Sequence, residues 1–285
     1  MMFAKESLVV LSLALFTGCS SGTADFDNEE SIGETQDALE MVNSLTVNSL
    51  TTNSLTTNSL TTNSLTTNSL TTNSLTTNAL EAIQDPSTTG EASRSVLRYM
   101  VACAFRPSQS FDFTWIDDAG VEHEEHYVGE LGLAPSWASG PLDIRGQRMI
   151  SGCLAAHVNF YGVHVTLSAR SGQGVLRLHP QDPELDEYSH VEGAFWGNIF
   201  GENPYLNSCY KSSNVAYSRG LFRDCATGHL RPDGTTEDCG IINVAGPCEH
   251  VCRGYNPASG YYGRCTDRPG AGHTRTDLVI TTALP

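Results

Sequence analysis

The chain has 285 residues, which allows one or two domains, and 39% of its residues are hydrophobic. It carries 32 acidic and 16 basic residues, so its formal net charge is −16 at pH 7. A charge of this sign repels phosphate backbones and anionic membrane surfaces, which argues against nucleic acid as a partner.

The first nineteen residues have the pattern of a bacterial export signal. Lys5 precedes an apolar run at 8–16, which is shorter than the about 20 residues that a membrane-spanning helix needs. Residues 16–19, Phe-Thr-Gly-Cys, resemble the lipobox of bacterial lipoproteins, with Phe in place of that family's usual Leu. The resemblance implies a signal peptide over 1–18, acylation of Cys19 as a membrane anchor, and, from the two serines that follow, sorting to the outer membrane. The alternative is an ordinary secretory signal with a chance cysteine.

Two segments of low complexity follow the signal. Residues 19–41 are acidic and polar and predict a disordered tether. Residues 42–84 repeat Asn-Ser-Leu-Thr-Thr with a period of five, which places a leucine at every fifth position from Leu45 to Leu80. The period resembles that of the pentapeptide-repeat family and implies a short β-solenoid. A flexible stalk rich in Thr, Ser and Asn is the open alternative, and either form would act as a spacer.

Residues 88–285 are long enough for one globular domain, and their first half predicts helices and strands. Thr88 and Glu91 have the spacing of a capping box before a helical apolar stripe that ends near Ala104. Residues 111–115 alternate as in a strand, and an Asp-Ala-Gly turn leads to a second strand at 122–128.

A second helix is predicted from Ile144 to Phe160, and further strands at 164–168 and 278–282. The expected fold class is α+β: a small antiparallel sheet with two packed helices and a loop-dominated, disulfide-rich C-terminal third, preceded by the repeat stalk.

Besides Cys19, the chain has an even number of cysteines, which in an exported protein predicts four disulfides. They are Cys103, Cys153, Cys209, Cys225, Cys239, Cys248, Cys252 and Cys265. Cys103 and Cys153 are expected to pair because each lies on the apolar side of a predicted helix. The competing reading is a zinc site. Its ligands would be Cys239, Cys248, Cys252 and His250, at irregular spacing.

Two pairs of side chains that contain histidine are candidate chemical sites. His123 and His126 lie three apart on a predicted strand and therefore face opposite ways, whereas the helical metalloprotease motif needs a spacing of four. Cys153 and His157 have helical spacing for a thiolate–imidazole pair, but a disulfide in the core is favoured. No metal or other cofactor is expected from them, and catalytic residues are not identified.

An acidic loop offers a weak calcium site. Asp182, Glu184 and Asp186 cluster within five residues, but the loop lacks the glycine and distant glutamate of an EF-hand. A solvated loop is the favoured alternative.

An aromatic segment between glycines is the candidate ligand-binding site. Phe195 and Trp196 could stack on a sugar ring while Glu192 and Asn198 bond its hydroxyls. The alternative is a buried strand whose glycines permit close packing.

Four segments of the domain are similar to a family of bacterial surface lipoproteins that carry the same five-residue repeats and a cysteine-containing C-terminal domain. They are residues 97–104, 132–137, 153–159 and 192–200. The resemblance implies a shared exported fold, but no established activity comes with it.

Three function classes remain open. The favoured one is a lipid-anchored cell-surface protein that displays a domain for binding or adhesion, with a glycan or a protein as ligand. The second is an exported hydrolase of cell-wall or extracellular glycans, with Glu192 paired to Asp182, Glu184 or Asp186. The third is a structural lipoprotein of the envelope. The absence of a known catalytic motif favours a binding protein over an enzyme.

Overall fold

The structure, a computed structural model, describes residues 44–45, 81–163, 165–201, 203–267 and 274–285. The predictions on Cys19, on the tether and on nearly all of the repeat lie outside the described residues. The described part of the chain is α+β, with small antiparallel sheets, few helices and four cysteine pairs at disulfide distance. This confirms the predicted fold class of the domain.

The described elements are as follows. The helices are α1 (Thr88–Ala104), α2 (Ile144–His157), α3 (Glu184–Glu187), α4 (Val215–Gly220) and α5 (Cys248–Val251). The strands are β1 (Ser44–Leu45), β2 (Ser110–Ile116), β3 (Glu122–Val128), β4 (Leu167–Arg170), β5 (His190–Asn198), β6 (Tyr205–Tyr210), β7 (His229–Leu230), β8 (Thr236–Glu237), β9 (Ile242–Pro247), β10 (Tyr255–Asn256), β11 (Tyr261–Tyr262), β12 (Cys265–Thr266), β13 (Arg275–Thr276) and β14 (Ile280–Leu284). Short 3-10 turns lie at Glu81–Gln84, Pro135–Ala138, Gly174–Leu176 and Ser212–Asn214.

Helix α1 begins where the sequence predicts, but with a different cap. Ser87 is the N-cap residue, and its hydroxyl accepts a hydrogen bond of 3.2 Å from the amide of Thr89. The predicted cap, Thr88, is already helical. Ser87 takes this role because its backbone is extended and its carbonyl accepts from the amide of Glu91.

Helix α2 starts at the predicted residue and ends three residues earlier than expected. Asp143 caps its N-terminus by accepting from the amide of Gly146 at 2.7 Å. The backbone turns to an extended conformation at Val158, so the chain leaves the helix after His157. Strands β4 and β14 likewise start three and two residues later than predicted.

The hairpin β2–β3 forms as predicted. Asp117 accepts hydrogen bonds from the amides of Ala119 and Val121, and Gly120 supplies the positive φ of +78° that the turn requires. Phe111 and Phe113 share the buried side of β2.

A six-stranded sheet in the order β1-β4-β14-β5-β6-β9 forms the centre of the fold. Its neighbouring strands are antiparallel except β6 and β9, which are parallel. Strand β5 is covered on both faces, because Phe195 packs in the core with the helices, whereas Trp196 packs with the cysteines of residues 248–267. These residues, called the disulfide tail below, cover the face opposite α2.

All eight cysteines of the domain are paired, as predicted. The disulfides are Cys103–Cys153, Cys209–Cys248, Cys225–Cys239 and Cys252–Cys265. The first joins α1 to α2, which confirms the one pairing that the sequence singled out. Pairing also excludes the zinc reading, because Cys239, Cys248 and Cys252 each belong to a different bridge.

Candidate functional site

The four residues predicted to bind a sugar lie inside the protein. Phe195 and Trp196 are fully buried on opposite faces of β5, and Glu192 and Asn198 are buried as well. The indole nitrogen of Trp196 donates to the carbonyl of Thr266 at 2.8 Å. The candidate sugar site on this segment is therefore wrong, and the alternative of a buried strand is the correct interpretation.

Glu192 belongs to a buried network on the helix side of the sheet. Its carboxylate accepts from both Arg223 Nε (3.1 Å) and Nη2 (2.8 Å), and from the Thr282 hydroxyl (2.8 Å). Arg223 also donates to the carbonyls of Ala156 and Val158 at the end of α2. Each strong donor and acceptor is thus satisfied within the protein, which is the pattern of a structural ion pair.

The acidic loop does not converge on a metal. Glu184 points inward, and Oε1 accepts from the hydroxyl of Ser168, whereas Asp186 is exposed and Asp182 accepts from the amide of Glu184. Burial raises the pKa of Glu184 to about 7, against the lowering effects of Ser168 and the nearby Arg170. The carboxylates that calcium would need point different ways.

The same placement removes the pairing of Glu192 with Glu184, one of the three carboxylates that the hydrolase alternative offered as its partner. Glu192 lies on the helix side of the sheet. Glu184 lies on the other side with Arg170, whose guanidinium occupies the space where Gly260 of the disulfide tail lacks a side chain. With the sheet between them, the two carboxyl groups cannot flank one glycosidic bond.

The histidine pairs also take structural roles. His123 and His126 face opposite sides of β3 and pair with Asp117 and Asp112, as the strand spacing predicts. His157 Nδ1 donates to the carbonyl of Cys153 at 2.7 Å, and burial lowers its pKa to about 4. Two clusters of metal-ligating side chains occur among the described residues, and each contains a disulfide. They are Cys103–Cys153–His157 and Asp224–Cys225–Cys239.

A surface cleft of about 520 Å³ opens at the disulfide tail. It lies between the loop that follows β4, the hairpin β10–β11 and the strands β12 and β13. Its lining residues are Gly172, Gln173, Arg253, Gly254, Tyr255, Asn256, Pro257, Tyr261, Gly263, Arg264 and Asp277. We call it the tyrosine–arginine cleft.

Two arginines of the cleft have exposed guanidinium groups that are accessible to a ligand. Arg253 and Arg264 are exposed, and neither side chain has a hydrogen bond or ion pair within the described part of the chain. Backbone contacts hold them side by side, since the amide of Arg253 donates to the carbonyl of Arg264 at 3.3 Å. Arg275 Nη1 donates to the same carbonyl at 3.0 Å, and Arg264 has a positive φ of +55°. The fold thus brings two exposed arginines to one cleft of a protein with a formal net charge of −16.

Two tyrosines form the aromatic part of the cleft. Gly172 lets the ring of Tyr261 lie against the backbone, because a Cβ there would stand 2.9 Å from Cε2 of the ring. The hydroxyl of Tyr261 accepts a long hydrogen bond of 3.4 Å from Asn256 Nδ2. Tyr255 is about one third exposed, and Lys211 Nζ lies 5.3 Å from its ring centre. Aromatic surface and positive charge therefore meet in one place.

The cleft was not predicted from the sequence, although the residues of its hairpin carry a pattern that indicates it. Residues 253–255 read Arg-Gly-Tyr, and residues 261–264 read Tyr-Tyr-Gly-Arg. Folded about a turn that contains Pro257 and Gly260, the segment brings like residues opposite each other, and Tyr255 indeed pairs with Tyr262. A mirrored pattern of this kind indicates a hairpin that displays two arginines and an aromatic surface together.

No protein family model, curated protein or solved structure matches this chain significantly. Among the described residues, none of the helices combines the length and apolarity needed to span a bilayer.

Proposed function

We propose that this chain is a lipid-anchored protein of the bacterial outer membrane that displays a disulfide-stabilised binding domain. The export signal that ends at Cys19 supports the anchor, and the likeness to surface lipoproteins with five-residue repeats supports the display. Four disulfides suit an oxidising compartment outside the cytoplasm. In this arrangement the acyl chains insert into the membrane, and residues 42–84 act as the spacer between the anchor and the domain.

The tyrosine–arginine cleft is the binding site of that domain, and its ligand is an acidic saccharide. The observation that carries this proposal is the pair of open guanidinium groups on Arg253 and Arg264 beside tyrosine rings. Guanidinium forks bind carboxylate or phosphate oxygens, and tyrosine rings stack on the apolar face of a sugar. Asp277 and Asn256 supply acceptors and donors for the hydroxyl groups.

The alternatives have less support from the geometry. A glycan hydrolase needs two carboxyl groups across a scissile bond, and the cleft contains one, Asp277. A purely structural lipoprotein has no use for two arginines in one cleft that make no ion pair with the described residues, since charges of equal sign repel each other.

Binding of the oxidised full-length chain in detergent to an oligosaccharide that ends in a uronic acid tests the proposal. Arg253→Ala and Arg264→Ala are each expected to weaken binding about tenfold or more, because a hydrogen bond to a charged group contributes about 1.5–3 kcal/mol. Affinity should also fall as salt rises. Isothermal titration calorimetry gives the dissociation constants.

Two controls make the result specific. Arg106→Ala removes the same charge from an exposed arginine outside the cleft and should leave binding unchanged. The methyl ester of the same saccharide keeps its shape but lacks the charge, and it should bind far more weakly. Equal binding of the acid and the ester, or equal effects of the Arg106 and Arg253 variants, would contradict the proposal.

A further inference from the structure

A second exposed aromatic cluster lies away from the cleft, around the end of helix α4. Tyr161 and Phe222 are 45% and 54% exposed, and their rings meet edge to face with centres 5.5 Å apart. Tyr161 makes similar perpendicular contacts with Phe160 and His229, at 5.6 and 5.4 Å. Phe160 and His229 stack on each other. We call these four residues the aromatic patch.

Phe222 occupies a backbone position that suits glycine better. Its φ is +58°, and it follows the end of α4 in a Schellman motif. The amide of Phe222 donates to the carbonyl of Arg219 at 3.0 Å, and the amide of Arg223 donates to that of Ser218 at 2.8 Å. A bulky residue in this left-handed region is an outlier, because its Cβ crowds the backbone. Strained backbone positions of this kind cluster at functional sites, and this one carries an exposed aromatic ring.

A buried carboxylate fixes the orientation of the patch. Asp224, almost fully buried, accepts from the hydroxyl of Tyr161 at 3.2 Å and from His229 Nδ1 at 2.8 Å. In the tautomer that donates from Nδ1 to this carboxylate, Nε2 of His229 is an acceptor. Within the described part of the chain, Nε2 has no hydrogen-bond partner.

We propose that the aromatic patch binds an uncharged sugar ring, as a site separate from the tyrosine–arginine cleft. The apolar face of the sugar stacks on Tyr161 and Phe222, and one of its hydroxyl groups donates to His229 Nε2. The charges around the patch balance and so favour an uncharged ligand, because Arg219 and Asp224 act on Tyr161 with opposite sign and Arg231 is paired with Glu237. An open acceptor beside exposed rings fits a ligand that offers both C–H and O–H groups.

The variant Phe222→Gly distinguishes sugar binding by Phe222 from a purely structural role of this residue. Glycine adopts the left-handed conformation without strain, so the variant should raise the urea midpoint of unfolding. The same change removes a stacking ring and should lower the affinity for a neutral oligosaccharide about tenfold. A residue retained only for packing would give the opposite sign of stability change.

The experiment uses the oxidised full-length chain on an array of neutral oligosaccharides, followed by calorimetry with the best binder. His229→Phe keeps an aromatic ring beside Phe160 and removes the acceptor, so binding should weaken. Ile116→Ala, an exposed apolar residue on β2, is the matched control and should change nothing.

Three outcomes would overturn the proposal. They are the absence of binding to every neutral saccharide, unchanged affinity in the Phe222 variant, and binding of a protein partner at this patch without any sugar. Because the cleft and the patch share no residue, failure of Arg253→Ala to affect acidic ligands leaves this test intact, and the reverse holds as well.

Discussion

Trp196 shows at the residue scale how a side chain with the chemistry of a ligand site can serve the core. Its ring is fully buried on the face of β5 that the disulfide tail covers, and its nitrogen donates to the carbonyls of Thr266 and Asp267. Both contacts join the sheet to the tail. The residue therefore stabilises the layer that carries the tyrosine–arginine cleft without touching a ligand there.

Replacing Trp196 with Ala is expected to lower the free energy of unfolding by about 3–5 kcal/mol, because it leaves a large cavity and removes the donor of the Thr266 carbonyl. Trp196→Phe keeps one aromatic ring but loses the donor and part of the ring volume, so its cost should be smaller, about 1–3 kcal/mol. Urea denaturation followed by circular dichroism measures both values. A small loss for the alanine variant would show that the indole is not the link between sheet and tail.

The candidate sites could be predicted only in part, and single residues show why. The sequence offered both a sugar site and a buried strand for residues 192–200, and alternation alone cannot say what covers the second face of a strand. The disulfide tail covers it, through cysteine pairs that the sequence leaves undetermined. Arg253 and Arg264 gave no single-residue signal, because their importance comes from being brought together by the fold.

At the scale of elements, local patterns predicted well what depends on local contacts. The two long helices and the hairpin β2–β3 start within one residue of their predicted positions, because caps and turns are set by neighbouring residues. Strands β4 and β14 shifted by two or three residues, since the extent of a strand depends on its partners in the sheet. The parallel pairing of β6 with β9 is non-local, and nothing in the sequence indicated it.

The disulfide between α1 and α2 should contribute more stability than the two short bridges. It closes a loop of 50 residues, whereas Cys252–Cys265 closes 13. In the loop-entropy treatment these lengths correspond to about 4 and about 3 kcal/mol. Replacing Cys103 and Cys153 together with Ala is therefore expected to lower the free energy of unfolding by about 1 kcal/mol more than removing the shorter bridge.

Equilibrium denaturation of the two double variants, with the remaining disulfides verified by mass spectrometry, gives this difference. The disulfide Cys225–Cys239 closes a loop of 14 residues. Its double replacement with Ala is therefore the matched control and should resemble the Cys252–Cys265 variant. If all three variants lose the same stability, chain entropy is not the main contribution of these bridges.

At the scale of the whole molecule, two buried groups give the domain opposing responses to pH. The folded pKa of Glu184 is raised from 4.5 to about 7, mainly by burial, so the folded state keeps a proton that the unfolded chain has lost. The folded pKa of His157 is lowered from 6.5 to about 4, again mainly by burial, so the unfolded chain binds a proton that the folded state rejects. Because the two lie on different sides of the sheet, they act independently on the free energy of unfolding.

The signs of the two contributions differ. Stability from Glu184 is fully present below pH 4.5 and is lost as pH rises to about 7. Stability from His157 is present above pH 6.5 and is lost as pH falls to about 4. Between pH 4.5 and 6.5 the two slopes largely cancel, so the stability of the wild-type domain should vary little over this range.

Glu184→Gln is expected to expose the response of His157. Glutamine can still accept from Ser168 but does not titrate, so the stability of the variant should rise with pH from 4.5 to 6.5 by up to about 1.4 kcal/mol per pH unit. Urea denaturation at several pH values measures the slope. Glu187→Gln, at an exposed position of the same short helix, should keep the flat profile of the wild type. If the Glu184 variant is as flat as the wild type, the two buried groups do not carry opposite protonation changes on folding.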